Sequence, residues 1–154
     1  MKILVLSDSH GARENIIDAF EKEKPDAVIF LGDGLEDFLY ARDFYMGGAE
    51  TYVVRGNCDR LPVNEFYTSQ AVTLGGVKFY ITHGNKEGVY NNLELLYANA
   101  AVEHAQAALY GHTHFAAKDI INGITLINPG TVSEGYYLII NAENGNFSAE
   151  HLRI

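Results

Sequence analysis

The chain has 154 residues, a mass of 17.0 kDa, 47% apolar and 20% charged residues, and a formal net charge of -9. That length suits one domain able to bury its own core, and the composition excludes a disordered tail. The acidic balance excludes broad electrostatic binding to nucleic acid or anionic membranes, and a lone cysteine, Cys58, excludes an internal disulfide and points to the reducing cytoplasm.

"MKILVLSDSH" opens with an apolar run too short for a signal core or a membrane span, and reads as a first strand. "ARENIIDAFEKEK" puts Ile16, Ile17 and Phe20 on one helical face and stops at Pro25, so with "AVIFL" the chain begins as β-α-β. A second helix is predicted over "LEDFLYARDFYM", where Leu35, Phe38, Leu39 and Met46 share a stripe before Gly47 and Gly48, and "TYVV" follows as a strand. "LGGVK" turns into the strand "VKFYI". A third helix is predicted across Val89, Leu93, Leu96, Tyr97 and Ala100, whose spacing fits a period of about 3.6 residues; "AALY" is the next strand. "INGIT" and "AENGNF" each place Asn-Gly between apolar runs, a strong hairpin signal. An α/β beginning with an antiparallel finish predicts two mixed β-sheets packed together with helices outside, one domain over residues 1–154.

Five of the strand candidates end in residues able to bind metal. "KILVL" leads to Ser7-Asp8-Ser9-His10, "AVIFL" to Gly32-Asp33, "TYVVR" to Gly56-Asn57-Cys58-Asp59, "FYIT" to His83-Gly84, and "AALY" to Gly111-His112-Thr113-His114. Sites in open α/β sheets form beyond the carboxyl ends of strands, so these ends are expected to converge. An isolated His-x-His pair is most often an exposed turn. On an extended segment, however, alternation would turn His112 and His114 to one side. Asp8, His10, Asp33, Asn57, His83, His112 and His114 are too many ligands for one ion. A bridging carboxylate such as Asp33 would give each of two ions four protein contacts and leave positions open, as in two-metal sites with ions about 3.5 to 4 Å apart. Two divalent cations against Asp8 and Asp33 leave the site cationic inside an acidic protein, which suits a phosphate.

"DSH", "GD", "GNCD", "THG" and "GHTH", in that order, with "NPGT" from Asn128 to Thr131, resemble the calcineurin-like metallophosphoesterase superfamily, and most of all its small YfcE-type phosphodiesterases. The resemblance implies a four-layer α/β/β/α sandwich and a metal-dependent phosphoesterase, foremost a phosphodiesterase acting on a small phosphate ester. It assigns Asp8, His10, Asp33 and His114 to one ion and Asp33, Asn57, His83 and His112 to the other, with hydroxide between the ions attacking phosphorus. Asp33, Asn57 and His83 are then the catalytic set, with Cys58 and Asp59 as further candidates, Asp59 as a group that orients its neighbours. Mn²⁺ is the first choice of ion, and Ni²⁺, Zn²⁺ or Fe²⁺ also suit mixed carboxylate and imidazole ligands.

Cys58 departs from the His that many relatives carry. A thiol titrates near ~8.5 against ~6.5 for imidazole, which favours leaving groups that depart without protonation; equally, Cys58 could be a small side chain with no chemical role. Rival readings are a phosphomonoesterase or nucleotidase, and a protein-interaction scaffold like the retromer subunit that resembles this family but has lost ligand residues. All seven positions hold competent ligands here, which favours an intact site. No strong nucleic-acid or membrane binding is expected. A homo-oligomer is compatible with the surplus of 10 tyrosines, though scattered half-buried Tyr is the more ordinary use.

Overall fold

A computed structural model of the chain describes residues 1–60 and 65–154. In chain order it contains β1 (Lys2–Leu6), α1 (Arg13–Glu23), β2 (Ala27–Phe30), α2 (Leu35–Tyr45), β3 (Glu50–Val53), β4 (Ser69–Leu74) and β5 (Val77–Thr82). Then come α3 (Glu94–Val102), β6 (Ala107–Leu109), β7 (Ala117–Ile121), β8 (Ile124–Asn128), a 3-10 turn at Val132–Glu134, β9 (Tyr136–Glu143) and β10 (Asn146–Arg153). One sheet runs β10-β9-β1-β2-β3 and the other β4-β5-β6-β8-β7. Each is mixed: β1, β2 and β3 are parallel with β9 antiparallel to β1, and β5, β6 and β8 are parallel with β4 and β7 antiparallel at the edges.

Strand alternation builds the layers. Ile3 and Val5 of β1 face inward with Ile29, Phe79, Ile81, Leu109 and Leu138, forming the core between the sheets. Leu4 and Leu6 point the other way, against Ile16, Ile17, Leu35 and Phe38 of α1 and α2. On the far side Leu96 and Ala100 of α3 cover Tyr80, Ala108 and Leu126. The result is the α/β/β/α sandwich expected from the motifs.

The three glycine turns read as strand connections close as two-residue hairpins, with Gly75 and Gly76, Asn122 and Gly123, and Asn144 and Gly145 at positive φ. Two consecutive left-handed residues are what a type I′ turn demands, which is why Asn-Gly was informative. The third helix is shorter than its apolar spacing predicts. Val89 N–H donates to Gly84 O and Asn91 N–H to Gly88 O, so the chain is still turning there. The Asn92 side chain then accepts Glu94 N–H at 3.0 Å and starts the helix. Val89 is buried without being helical.

Tyr110 follows β6 in the core under α3, only 3% exposed. Burial, with a smaller contribution from the Asp119 charge, pushes its pKa up to about 12. An unfolded Tyr ionises near ~10, so the stability due to neutral Tyr110 is complete below that pH and is lost between roughly 10 and 12, on the order of 2 kcal/mol. Tyr110→Phe should therefore lose less stability than the parent between pH 9 and pH 11.5 in urea unfolding. Parallel losses in both proteins would refute the assignment.

Candidate metal centre

The candidate ligands stand on loops leaving the carboxyl ends of β1, β2, β3, β5 and β6, so both sheets deliver residues to one end of the sandwich. Gly111 permits this convergence. A Cβ there would strike Ser7 Oγ and Asp8 Oδ2, so the β6 loop can reach the β1 loop only without a side chain. The loops are also conformationally costly. Asp8, His10, Asp33, His112 and His114 all have φ between 44° and 67°, making five of the nine non-glycine residues at positive φ among those described. Left-handed backbone of this kind costs of order 1 kcal/mol or more per residue and concentrates where function over-determines geometry.

The side chains gather into two groups, Asp8 with His10 and His114, and Asp33 with His83 and His112, the ligand atoms of each lying within 4.8 Å of one another. In the first, His114 Nε2 is 3.3 Å and His10 Nε2 3.7 Å from Asp8 Oδ1, and the two imidazole nitrogens are 3.2 Å apart. Ligands about 2.0 to 2.1 Å from a common ion and separated by 90° to 109° lie about 3 Å apart, so this spacing fits a shared cation. In the second, His83 Nε2 is 3.3 Å from Asp33 Oδ2, and the His83 and His112 rings meet edge to face at 5.1 Å.

Hydrogen bonding outside the groups leaves selected atoms free. Asp8 Oδ2 accepts from Ser7 Oγ and from His112 N–H at 3.1 Å, while buried Asp8 Oδ1 has no hydrogen-bond partner. His83 Nδ1 lies 2.8 Å from Leu31 O, which places a proton on Nδ1 and, in the neutral ring, leaves a lone pair on Nε2; that Nε2 is also buried and unsatisfied. The two orphans are 4.0 Å apart. A buried carboxylate oxygen and a buried imidazole lone pair are both acceptors, so neither can satisfy the other, and a cation can satisfy both. The residues present therefore fit metal ions.

Charge divides the two imidazoles of the second group. Burial would raise the Asp33 carboxyl, but the neighbouring His83 imidazole and hydrogen bonds from Cys58 together outweigh it and hold the group well below the usual carboxylate range. Burial opposes a proton on His83, yet Asp33 and Asp8 raise its pKa all the same. His112 is lowered by burial and by His83, which favours the neutral, ligating form.

Cys58 and Asp59 act on Asp33 from the β3 loop. Cys58 N–H donates to Asp33 Oδ1 at 2.8 Å, and its exposed thiol is held up in pKa chiefly by Asp33 and then by burial, so it stays protonated at neutral pH. Asn57 is exposed beside it, its side-chain nitrogen 3.3 Å from the sulfur. Asp59 accepts four backbone N–H groups, from Asp33, Gly34 and Leu35 at 2.9 Å and Gly56 at 2.7 Å.

One finding differs from what strand alternation predicts. His112 and His114 are not on extended backbone: β6 ends at Leu109 and both lie in the left-handed region, so the period-two argument does not apply; the rings enter the two different groups between which the resemblance divides them. The oxygen within 4.0 Å of imidazoles from both groups belongs to Asp8; the resemblance gives the bridge to Asp33.

Several supporting residues had no signal of their own. Asn128 Nδ2 donates to Gly111 O at 2.8 Å and to Thr113 Oγ1 at 3.1 Å, bracing the His-x-His loop. Thr131 Oγ1 donates to Asp8 O at 2.6 Å, and His151 Nε2 lies 2.7 Å from Asn128 O. Sequence distance hides these contacts: nothing in "NPGT" itself points to the β1 and β6 loops that it braces.

Residues 1–144 match the family model for the calcineurin-like phosphoesterase superfamily domain. The probable metallophosphoesterase YsnB of Bacillus subtilis is 33% identical over 135 residues, 86% of this chain and 75% of that protein. Phosphodiesterase YfcE of Escherichia coli strain K12 is 28% identical over 156 aligned positions, 86% of this chain and 80% of its own. A predicted phosphoesterase from Streptococcus pneumoniae TIGR4, whose crystal structure covers 99% of this chain with 88% of its own, superimposes with a TM-score of 0.80 at 27% identity.

Proposed function

The chain belongs to the calcineurin-like phosphoesterase superfamily, and from that premise we propose that it is a phosphodiesterase with a dinuclear metal centre, working on a small phosphate ester. The observation that carries this reading is the pair of buried, unsatisfied acceptors, Asp8 Oδ1 and His83 Nε2, between two groups of candidate ligands. Asp8, His10 and His114 would hold one ion; Asp33, His83 and His112, with Asn57, the other. Two divalent cations, Mn²⁺ first among them, supply Lewis-acid charge to phosphoryl oxygens and acidify water at neutral pH.

The chain's own residues orient and admit. Leu31 O fixes the His83 ring and its tautomer, and Ser7 with the His112 amide fixes Asp8. The His10 and His114 side chains are 35% and 42% exposed and Asn57 is exposed as well, while Asp8 and His83 are at 0%, so each group presents a ligand that substrate can reach. Cys58, a protonated thiol, is a weak proton shuttle, which suits esters whose leaving group needs none. The free thiol fits a reducing compartment.

Calorimetric titration with Mn²⁺ and hydrolysis of bis(p-nitrophenyl) phosphate test the reading together. Two ions per chain are expected, with activity abolished by a chelator and restored by added metal. His114→Ala and His112→Ala should each retain one ion, and the double variant none. A chain that binds no Mn²⁺, Zn²⁺, Ni²⁺ or Fe²⁺ would instead be a scaffold on this fold.

A further inference from the structure

Beside His114 lies a cleft of about 570 Å³, lined by Tyr90, Thr113, His114, Phe115, Ala116, Glu134 and Tyr136. Its volume falls in the range of small-molecule sites. His114 belongs to both the cleft and the first ligand group, so the two are continuous. Three aromatic rings line a space that begins at the candidate metal centre. Tyr90 and Phe115 are 63% and 74% exposed, a poor use of large apolar side chains unless something stacks on them.

Two of the three aromatic walls, Tyr90 and Tyr136, are held in place. Tyr90 Oη donates to His112 O at 3.0 Å and its ring meets the His112 ring edge to face at 4.8 Å. The Arg153 guanidinium lies over the Tyr136 ring at 4.9 Å and its Nε donates to Glu134 O at 3.2 Å. The exposed Glu134 carboxylate has no ion-pair partner among the described residues.

We propose that this cleft takes one ester arm of the substrate as a planar, amino-bearing aromatic group, so that the ester is that of a nucleoside whose base stacks among Phe115, Tyr90 and Tyr136 and donates to Glu134. The inference rests on the phosphodiesterase reading and names its substrate class. Aromatic walls favour a π-face over an aliphatic arm. The Glu134 carboxylate repels an arm with a second phosphate and accepts from an exocyclic amino group. The net charge of -9 disfavours a long nucleic-acid strand, leaving a small nucleoside ester.

Calorimetry on the Mn²⁺-loaded chain decides it, with adenosine 5′-monophosphate, purine riboside 5′-monophosphate (no amino group) and ribose 5-phosphate (no base) as probes. The adenosine compound should bind at least about tenfold tighter than ribose 5-phosphate. Phe115→Ala should weaken it by about 5-fold to 100-fold, the cost of a lost base stack, and leave ribose 5-phosphate unchanged. Glu134→Ala should erase the preference for the amino-bearing purine. Equal affinities for all three probes in the parent protein, or a Phe115→Ala variant that binds the adenosine compound as the parent does, would overturn the proposal. Bis(p-nitrophenyl) phosphate turnover in the same preparation judges the phosphodiesterase reading separately: turnover with equal probe affinities removes the nucleoside assignment alone.

Discussion

Asp33→Ala should reduce phosphodiester hydrolysis by more than about 100-fold while leaving the chain folded. Loss of partners outside a metal's own ligand shell costs 10 to 100-fold in affinity or activity, and the loss of a ligand itself exceeds that range. Asp33 stands beside His83 Nε2 at 3.3 Å and takes Cys58 N–H at 2.8 Å, so its removal strips the second group of its carboxylate and loosens the β3 loop. The companion variant Asp8→Ala separates two assignments. If Asp33 bridges, as the resemblance implies, Asp33→Ala loses both ions and Asp8→Ala one; if Asp8 bridges, as the reach of its Oδ1 to His114, His10 and His83 suggests, the order reverses. Metal content per folded chain reads the difference directly. Both variants retaining two ions would contradict the ligand assignment altogether.

What was legible in the sequence was local. Asn122-Gly123 and Asn144-Gly145 announce hairpins because the turn's positive φ is chosen by the two residues in it. The candidate ligands were legible for a related reason, since each follows its strand within a few residues and a strand end fixes where the next side chains emerge. Contacts between distant segments were not. The tautomer of His83 is set by Leu31 O, 52 residues away, and the His-x-His loop is braced by Asn128, whose side chain reaches back 17 residues to Gly111 O. His112 and His114 show the limit most clearly. Alternation alone would give them one shared direction, and it was the resemblance that divided them between two ions; left-handed backbone at both is what sends them to different groups, because a period-two argument fails where the chain has already left the strand.

Asp59→Ala should produce the second large effect, on stability and metal affinity together. The carboxylate reaches no candidate ligand side chain; instead Oδ1 accepts from Gly34 and Leu35, and Oδ2 from Asp33 and Gly56. Gly34 is the N-cap of α2 and offers no side chain to cap it, so a carboxylate from the β3 loop does the work, favoured by the positive end of the helix dipole. Hydrogen bonds to a charged group contribute about 1.5 to 3 kcal/mol each. Water replaces part of them at a half-buried site, so a loss of about 3 kcal/mol is expected for the set. Urea unfolding of the metal-free protein measures that. Because the same bonds fix the backbone of Asp33 relative to Gly56, Mn²⁺ affinity should fall by about 10 to 100-fold. Asp59→Asn, with one acceptor oxygen for two pairs of donors, should lie between parent and alanine on both scales. A merely structural Asp59 would lower stability in both variants yet leave the affinity of the folded fraction at the parent value, and that result would detach this residue from the metal centre.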